Sequence, residues 1–286
     1  MISIVVPAHN EGTVLARTLR PWLASLSAHE ISVVVVCNGC SDDTAQVARN
    51  VHPAVQVIET TVPSKTNALN LGDQASATFP RIYIDADIVV PIETVRALAS
   101  RLERGDVLAA APIANINLDG CSWLVRKYYD IRSRLPSARE GIGGSGVYAL
   151  SDAGRRRFDR FPDVIADDTF VRLHFKQDER ETLTAFKSTV FPPRTIQRLL
   201  AIRTRAHMGT LELRQHFPQL RGNNADVNDR TLLALFNEPG SWAGLLVYCC
   251  VNLMARRKAA VGFRRGTRRW QRDETSRISR SDSSAQ

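Results

Sequence analysis

Asp85 and Asp87 stand two residues apart in the stretch RIYIDADIVVP, residues 81–91. The rest of that stretch is rich in Ile and Val, the composition of a strand packed on both faces. An unpaired carboxylate buried in such a strand costs several kcal/mol, a large part of a domain's net stability. In extended chain, residues i and i+2 project to one side, so both acids can leave the strand toward a common space. Two carboxylates held together repel unless a cation or a set of donors lies between them. Hard oxygen ligands suit Mg²⁺ or Mn²⁺, which one or two carboxylates hold together with substrate phosphates.

Other groups with chemical potential are scattered further along. A second acidic pair, Asp167 and Asp168, lies in VIADDTFVRLHF; read locally, it caps a helix and complements its dipole. AIRTRAHMG, residues 201–209, carries Arg203, Arg205 and His207. Arginine holds phosphate bidentately, and a solvated basic helix face is the other reading of the same residues. In GIGGSG, residues 141–146, Gly143 and Gly144 would let the backbone approach a sugar or an acceptor. CNGC, residues 37–40, has the spacing of redox and zinc sites. Zinc needs two further ligands, and no second Cys or His pair stands at suitable spacing.

These residues need elements to position them. ISIVV (2–6), ISVVVVC (31–37), VQVIET (55–60) and RIYID (81–85) read as strands. Helical patterns separate them: EGTVLARTLRPWLASL, interrupted near Pro21, then SDDTAQVARNV with Ser41 as N-cap, then SKTNALNLGDQAS. Short strands alternating with helices predict an α/β fold, a mainly parallel sheet with helices on its faces. Ligands bind at the carboxyl ends of such strands, where PAHNEG, CNGCSDD and DAD fall. Beyond residue 100 a strand (DVLAAAPI), a helix (CSWLVRKYYDIRSRL), the glycine loop and a long basic helix (RTIQRLLAIRTRAHMGTLEL) follow less regularly. SWAGLLVYCCVNLMA, only fifteen residues before RRK, is short of the ~20 apolar residues a bilayer span needs. It reads as an interfacial helix or as a packing helix.

The chain has 286 residues and a net charge of +9. Residues 1–100 hold six Lys/Arg against nine Asp/Glu, and residues 255–286 hold ten against three. Basicity gathered in a tail speaks against a nucleic-acid-binding face and fits attraction to anionic lipid. Five irregularly spaced cysteines and an opening strand without a secretory n-region suggest a reducing, cytoplasmic compartment. Attachment would then be peripheral, on the inner face of the plasma membrane.

VVPAHNEG, VVCNGCSDDT, SKTNALNLG and YIDADIVV, in that order, resemble the inverting glycosyltransferase family 2, with its GT-A fold. The resemblance covers roughly residues 2–210. It implies a metal-dependent enzyme that moves a sugar from a nucleotide-diphosphate donor, UDP- or GDP-linked, to a hydroxyl acceptor. The acceptor would be glycan or lipid-linked, in cell-surface glycan or glycolipid synthesis. By the same resemblance Pro7, Ala8, Asn10, Glu11, Asn38, Lys65 and Asp85 bind the nucleotide, while Asp87 binds Mg²⁺ or Mn²⁺. Asp168 becomes the general base, beside Asp167; adjacent like charges push one pKa up, which suits that role. Asp167, Gly143 and Gly144 would face the donor sugar or acceptor, and Arg203, Arg205 and His207 the diphosphate. Asn38 stands where many members carry Asp, and Ile202 and Ala206 replace the usual Gln and Trp.

The expected organisation is a catalytic domain over 1–215, split near residue 100 into nucleotide-binding and acceptor halves. A helical, membrane-associated extension over 216–262 and a basic disordered tail over 263–286 would follow. Two alternative readings of the sequence are a sugar nucleotidyltransferase and a non-catalytic nucleotide-binding subunit. PAHNEG lacks the Gly-rich, Arg-containing character of a nucleotidyltransferase loop, and retention of the carboxylates argues for catalysis.

Overall fold

The computed structural model describes residues 1–23, 30–223 and 228–265. All but the first three residues of the expected basic tail lie outside them. The chain forms two compact units. One comprises Met1–Asn115, Gly141–Asp163 and Val171–Val190; the other comprises Ile116–Glu140, Val164–Phe170 and the chain from Phe191 on.

The first unit is built on strands β1 (Ile2–Ala8), β2 (Ile31–Asn38), β3 (Val55–Thr60), β4 (Arg81–Ile84), β5 (Ala109–Ile116), β6 (Val147–Leu150) and β7 (Arg180–Val190). The sheet order is β3-β2-β1-β4-β6-β5-β7. β1 pairs in parallel with β2 and β4, and β2 with β3. β6 runs antiparallel to β4 and β5. Val5, Val6, Val34, Val35 and Ile82 are fully buried, because helices cover both faces of a parallel sheet. Those helices include α1 (Gly12–Leu23), α2 (Thr44–Val51), α3 (Lys65–Ala75) and α4 (Ile92–Glu103). α1 continues through Pro21, where an interruption was expected. Trp22 is fully buried and donates its indole N–H to the Val90 carbonyl at 2.7 Å, which holds the last turn despite the N–H that proline lacks.

The second unit is helical. It contains α5 (Trp123–Arg132) and α6 (Pro136–Arg139); α7 (Asp152–Arg155) lies in the first unit, and α8 (Asp167–Leu173) begins in the second. α9 (Ile196–His216), α10 (Asn228–Phe236) and α11 (Trp242–Arg264) complete it. α11 is 23 residues long and runs on through the basic triplet that follows the apolar stretch. Its inner face joins α5 and α9 in one apolar cluster of Val125, Tyr128, Leu199 and Val251. No helix among the described residues is long and apolar enough to cross a membrane.

Candidate active site

The Asp-x-Asp motif leaves β4 as a turn, with the Ile88 N–H donating to the Asp85 carbonyl at 3.1 Å. Ala86 and Ile88 are buried, while Asp85 and Asp87 are half-buried. The segment thus keeps its apolar residues in the core and its acids at the surface. Three neighbours on α1 hold this turn by its carbonyls. Thr18 Oγ1 donates to Ala86 at 2.7 Å, Trp22 to Val90, and Arg17 to Asp87 at 3.4 Å. Burial lowers the pKa of Arg17, and the charges of Asp87 and Glu11 beside it act the other way. Arg17 is a site residue that the sequence reading missed.

Asp85 is compensated by Lys65, the first residue of α3, at 2.8 Å. The Ser64 N-cap fixes the start of that helix by accepting from the Asn67 N–H at 3.2 Å. On its other side the Asp85 N–H donates to the carbonyl of Gly146 at 2.9 Å. Gly146 has φ +67°, and a Cβ there would lie 2.5 Å from Ile88 and 3.5 Å from the Asp85 carboxylate. The glycine loop therefore reaches the acidic turn through Gly146, while Gly143 and Gly144 are exposed.

Asn10 ties together the loops that follow β1 and β2. It adopts the left-handed conformation, φ +52°, and its Oδ1 accepts from the N–H groups of Ser41 at 2.7 Å and Asp42 at 3.3 Å. The Glu11 N–H donates to Thr44 Oγ1 at 2.7 Å, and the Glu11 carbonyl accepts the first N–H groups of α1. Pro7 and Ala8 lie buried in β1, opposite Val36 and Cys37. Asn38 is 2% exposed; its amide donates to the Ala8 carbonyl at 2.8 Å and ties β1 to β2. Its Oδ1 is buried without a donor. The Asn10 N–H donates to Cys40 Sγ at 3.4 Å. The Cys40 thiol is pushed down to about 6, first by a hydrogen bond from Cys37. Cys37, donating and buried, is pushed up.

In the second unit Asp167 and Asp168 form the first turn of α8. Asp167 is 4% exposed. Asp168 is half-buried, and its Oδ1 accepts from the Thr169 N–H at 2.6 Å. α9 packs close beside this turn: the Ile165 N–H donates to Glu212 at 2.8 Å, and a Cβ on Gly209 would lie 2.7 Å from Ala166. Arg203 and His207, four apart on α9, share a face; Arg205 lies off it. Arg203 Nε, His207 Nε2 and the Tyr128 hydroxyl are buried without hydrogen-bond partners. Burial, then the charges of Arg203 and Arg256, bring the His207 pKa down to about 4. Burial and Arg203 likewise lower Arg132 of α5, a second cation the sequence reading did not include.

Among the described residues no group of three or more His, Cys, Asp or Glu gathers as a closed metal site. Asp87 offers a surface carboxylate at a loop braced by its carbonyls. That donor set fits a hard divalent ion that completes its shell with phosphate and water oxygens.

A parallel α/β sheet with an Asp-x-Asp turn at the end of β4, an antiparallel β6 beside it and C-terminal helices is the GT-A fold of glycosyltransferases. The fold is shared with a mannosyltransferase, PcManGT, from Pyrobaculum calidifontis, solved with GDP-Man and Mn²⁺. The TM-score is 0.60 at 20% identity, over 93% of this chain and 76% of that one. TarS residues 1–349 from S. aureus, solved with UDP, gives 0.52 at 12% identity over 96% and 94%. A mycobacterial protein gives 0.52 at 18% identity over 79% and 76%. Curated proteins give no match. The family model for glycosyl transferase family 2 matches residues 3–157, just over half of the chain. The chain belongs to that family.

Proposed function

We propose that the protein transfers a sugar from a nucleoside-diphosphate donor to a hydroxyl acceptor, with inversion at the anomeric carbon and with Mg²⁺ or Mn²⁺. The observation that carries this reading is the acidic turn after β4, anchored by α1 and paired to Lys65. It is supported by relatives of the same fold solved with GDP-Man and Mn²⁺, and with UDP-GlcNAc. UDP- and GDP-linked sugars are therefore the donors to test first. Cell-surface glycan or glycolipid synthesis is the setting proposed for the reaction.

In this scheme Lys65 and Asp85 hold the nucleoside and its ribose. Asn10 and Glu11 shape the loop that receives them, and Asn38 acts from behind by fixing the Ala8 carbonyl. Asp87 would hold the divalent ion, which when bound neutralises charge on the diphosphate. Asp168 takes the proton from the acceptor hydroxyl as its oxygen attacks the anomeric carbon, opposite the departing nucleoside diphosphate. Arg203 and His207 stabilise the charge of that leaving group, and Asp167, Gly143 and Gly144 are assigned to the sugar and acceptor.

Asp87→Ala tests the reading. Asp87 is half-buried at a turn held to α1 through its carbonyls, contacts that the substitution keeps, so the variant should still fold. Turnover of metal-dependent transfer or donor hydrolysis should fall by at least about a hundredfold. Unchanged turnover rejects the assignment. Release of pyrophosphate in place of nucleoside diphosphate would instead indicate a nucleotidyltransferase.

A further inference from the structure

α11 is apolar on two sides at once. Its inner side, with Leu245, Val251, Asn252 and Ala255 buried, packs within the second unit, where Tyr248 stacks on Tyr128 at 5.2 Å. Its outer side begins with Trp242, Leu246, Leu253 and Met254, which are 56%, 67%, 52% and 50% exposed. Trp242, Leu246 and Leu253 stand four and seven residues apart with exposed Cys249 between them, so they share one stripe, and Met254 lies along its edge. The end of α10 extends it with Leu233 and Phe236, 70% and 68% exposed. The corner between the helices is fixed: the Trp242 indole N–H donates to the Phe236 carbonyl at 2.8 Å. A surface helix that only packed on its own unit would carry polar residues outward. This one carries no charge from residue 242 to 255 and no acid from 242 to 265.

Charge then enters abruptly and with one sign. Arg256, Arg257, Lys258, Arg264 and Arg265 are all exposed. An apolar stripe that runs into an acid-free cationic segment complements a surface that is apolar inside and anionic at its rim. From Trp242 to Met254 the stripe is roughly 18 Å long at the helical rise, against a hydrocarbon core of about 30 Å. It is too short to cross and long enough to lie in the interface.

We propose that the outer face of α10 and α11 docks in the plane of an anionic lipid bilayer, with the apolar stripe inserted and the arginines and lysine against lipid phosphates. This surface is separate from the residues assigned to transfer, and its test does not depend on turnover.

The full chain is sedimented with vesicles of phosphatidylcholine, with or without phosphatidylglycerol. The mixed vesicles should carry it down, and the neutral ones should bind at least roughly tenfold less, because the exposed basic residues are attracted to anionic headgroups. Leu246→Glu with Leu253→Glu should abolish binding to both, since neither side chain is packed. Arg257→Glu with Lys258→Glu should reduce binding to the mixed vesicles to the neutral level and remove its salt dependence. As a second readout, brominated lipid in the mixed vesicles should quench tryptophan emission of the parent, and less so of Trp242→Phe. Absence of binding to mixed vesicles, or equal binding to both kinds, overturns the proposal. So does a dimer that Leu246→Glu with Leu253→Glu dissociates while vesicle binding is unaffected.

Discussion

Cys40 shows how far a residue's chemistry can depart from its type. Alone, a Cys-x-x-Cys loop suggests redox or zinc chemistry; here the sulfur of Cys40 accepts from the Asn10 N–H at 3.4 Å, joining the loops after β1 and β2. A hydrogen bond from Cys37 is the largest of the effects that bring its pKa down to about 6, so it ionises more readily than an ordinary cysteine. Alkylation by iodoacetamide should therefore follow a titration with a midpoint near 6, and Cys37 should react far more slowly because it is buried and pushed up. Mass mapping of the modified peptide against pH checks this, and a midpoint at the ordinary thiol value would contradict the geometry. Asp85 and Asp87 were legible because their type clashed with the run around them. Asn38 was legible only as a position; that its amide ties two strands, 2.8 Å from the Ala8 carbonyl, depends on the strand pairing. Arg17 left no local signal, since its partner lies 70 residues away.

Elements reveal a second layer that spacing could not. Asp73 of α3 is buried, with its carboxylate shared among Arg81 of β4 at 2.5 Å, Arg155 of α7 at 2.5 Å and Tyr83 at 2.6 Å. Tyr83 in turn stacks on Tyr148 of β6 at 4.8 Å. This network joins the helix that begins at Lys65 to the strand that ends at the acidic turn, so it sets the geometry of both. Removing the one acid would strip buried Arg81 and half-buried Arg155 of the carboxylate they share, leaving them the carbonyls of Ser76, Phe158 and Asp159. Asp73→Ala should cost about 3–5 kcal/mol, read as a lower urea midpoint with an unchanged slope. On α9 the sign of a pH effect can be worked out. The folded-state pKa of His207, about 4, lies below its unfolded value, so between them the unfolded chain binds more protons and stability falls as pH falls. The loss begins near the unfolded pKa of about 6.5 and is complete below the folded value. His207→Gln should flatten the stability curve across that window, and a parent curve already flat there would contradict the buried neutral imidazole.

For the whole chain, the alternation of Ile/Val-rich strands with helices was enough to read a mainly parallel α/β sheet, because both faces of β1, β2 and β4 are covered. β7 escaped detection: RETLTAFKSTV lies at the end of the sheet order and is mostly half-buried or exposed, so it has no apolar run. The second unit escaped for a different reason. It is assembled from residues 116–140, 164–170 and the chain from 191 on, and sequence order does not show which separated segments pack together. This division places the proposed nucleoside contacts, Lys65 and Asp85, in one unit and the proposed diphosphate contacts, the Arg203 cation and the neutral His207 ring, in the other. Ligand fragments should therefore separate the two contributions. A bound ligand stabilises by about 2.7 kcal/mol at a hundred times its dissociation constant. UDP or GDP with Mn²⁺ should raise the melting temperature more than the matching nucleoside does, and Asp87→Ala should remove the part that depends on Mn²⁺. Arg203→Ala should weaken the response to the diphosphate and leave the response to the nucleoside intact. Equal shifts from nucleoside and nucleoside diphosphate, with or without Mn²⁺, would mean that neither Asp87 nor Arg203 meets the diphosphate.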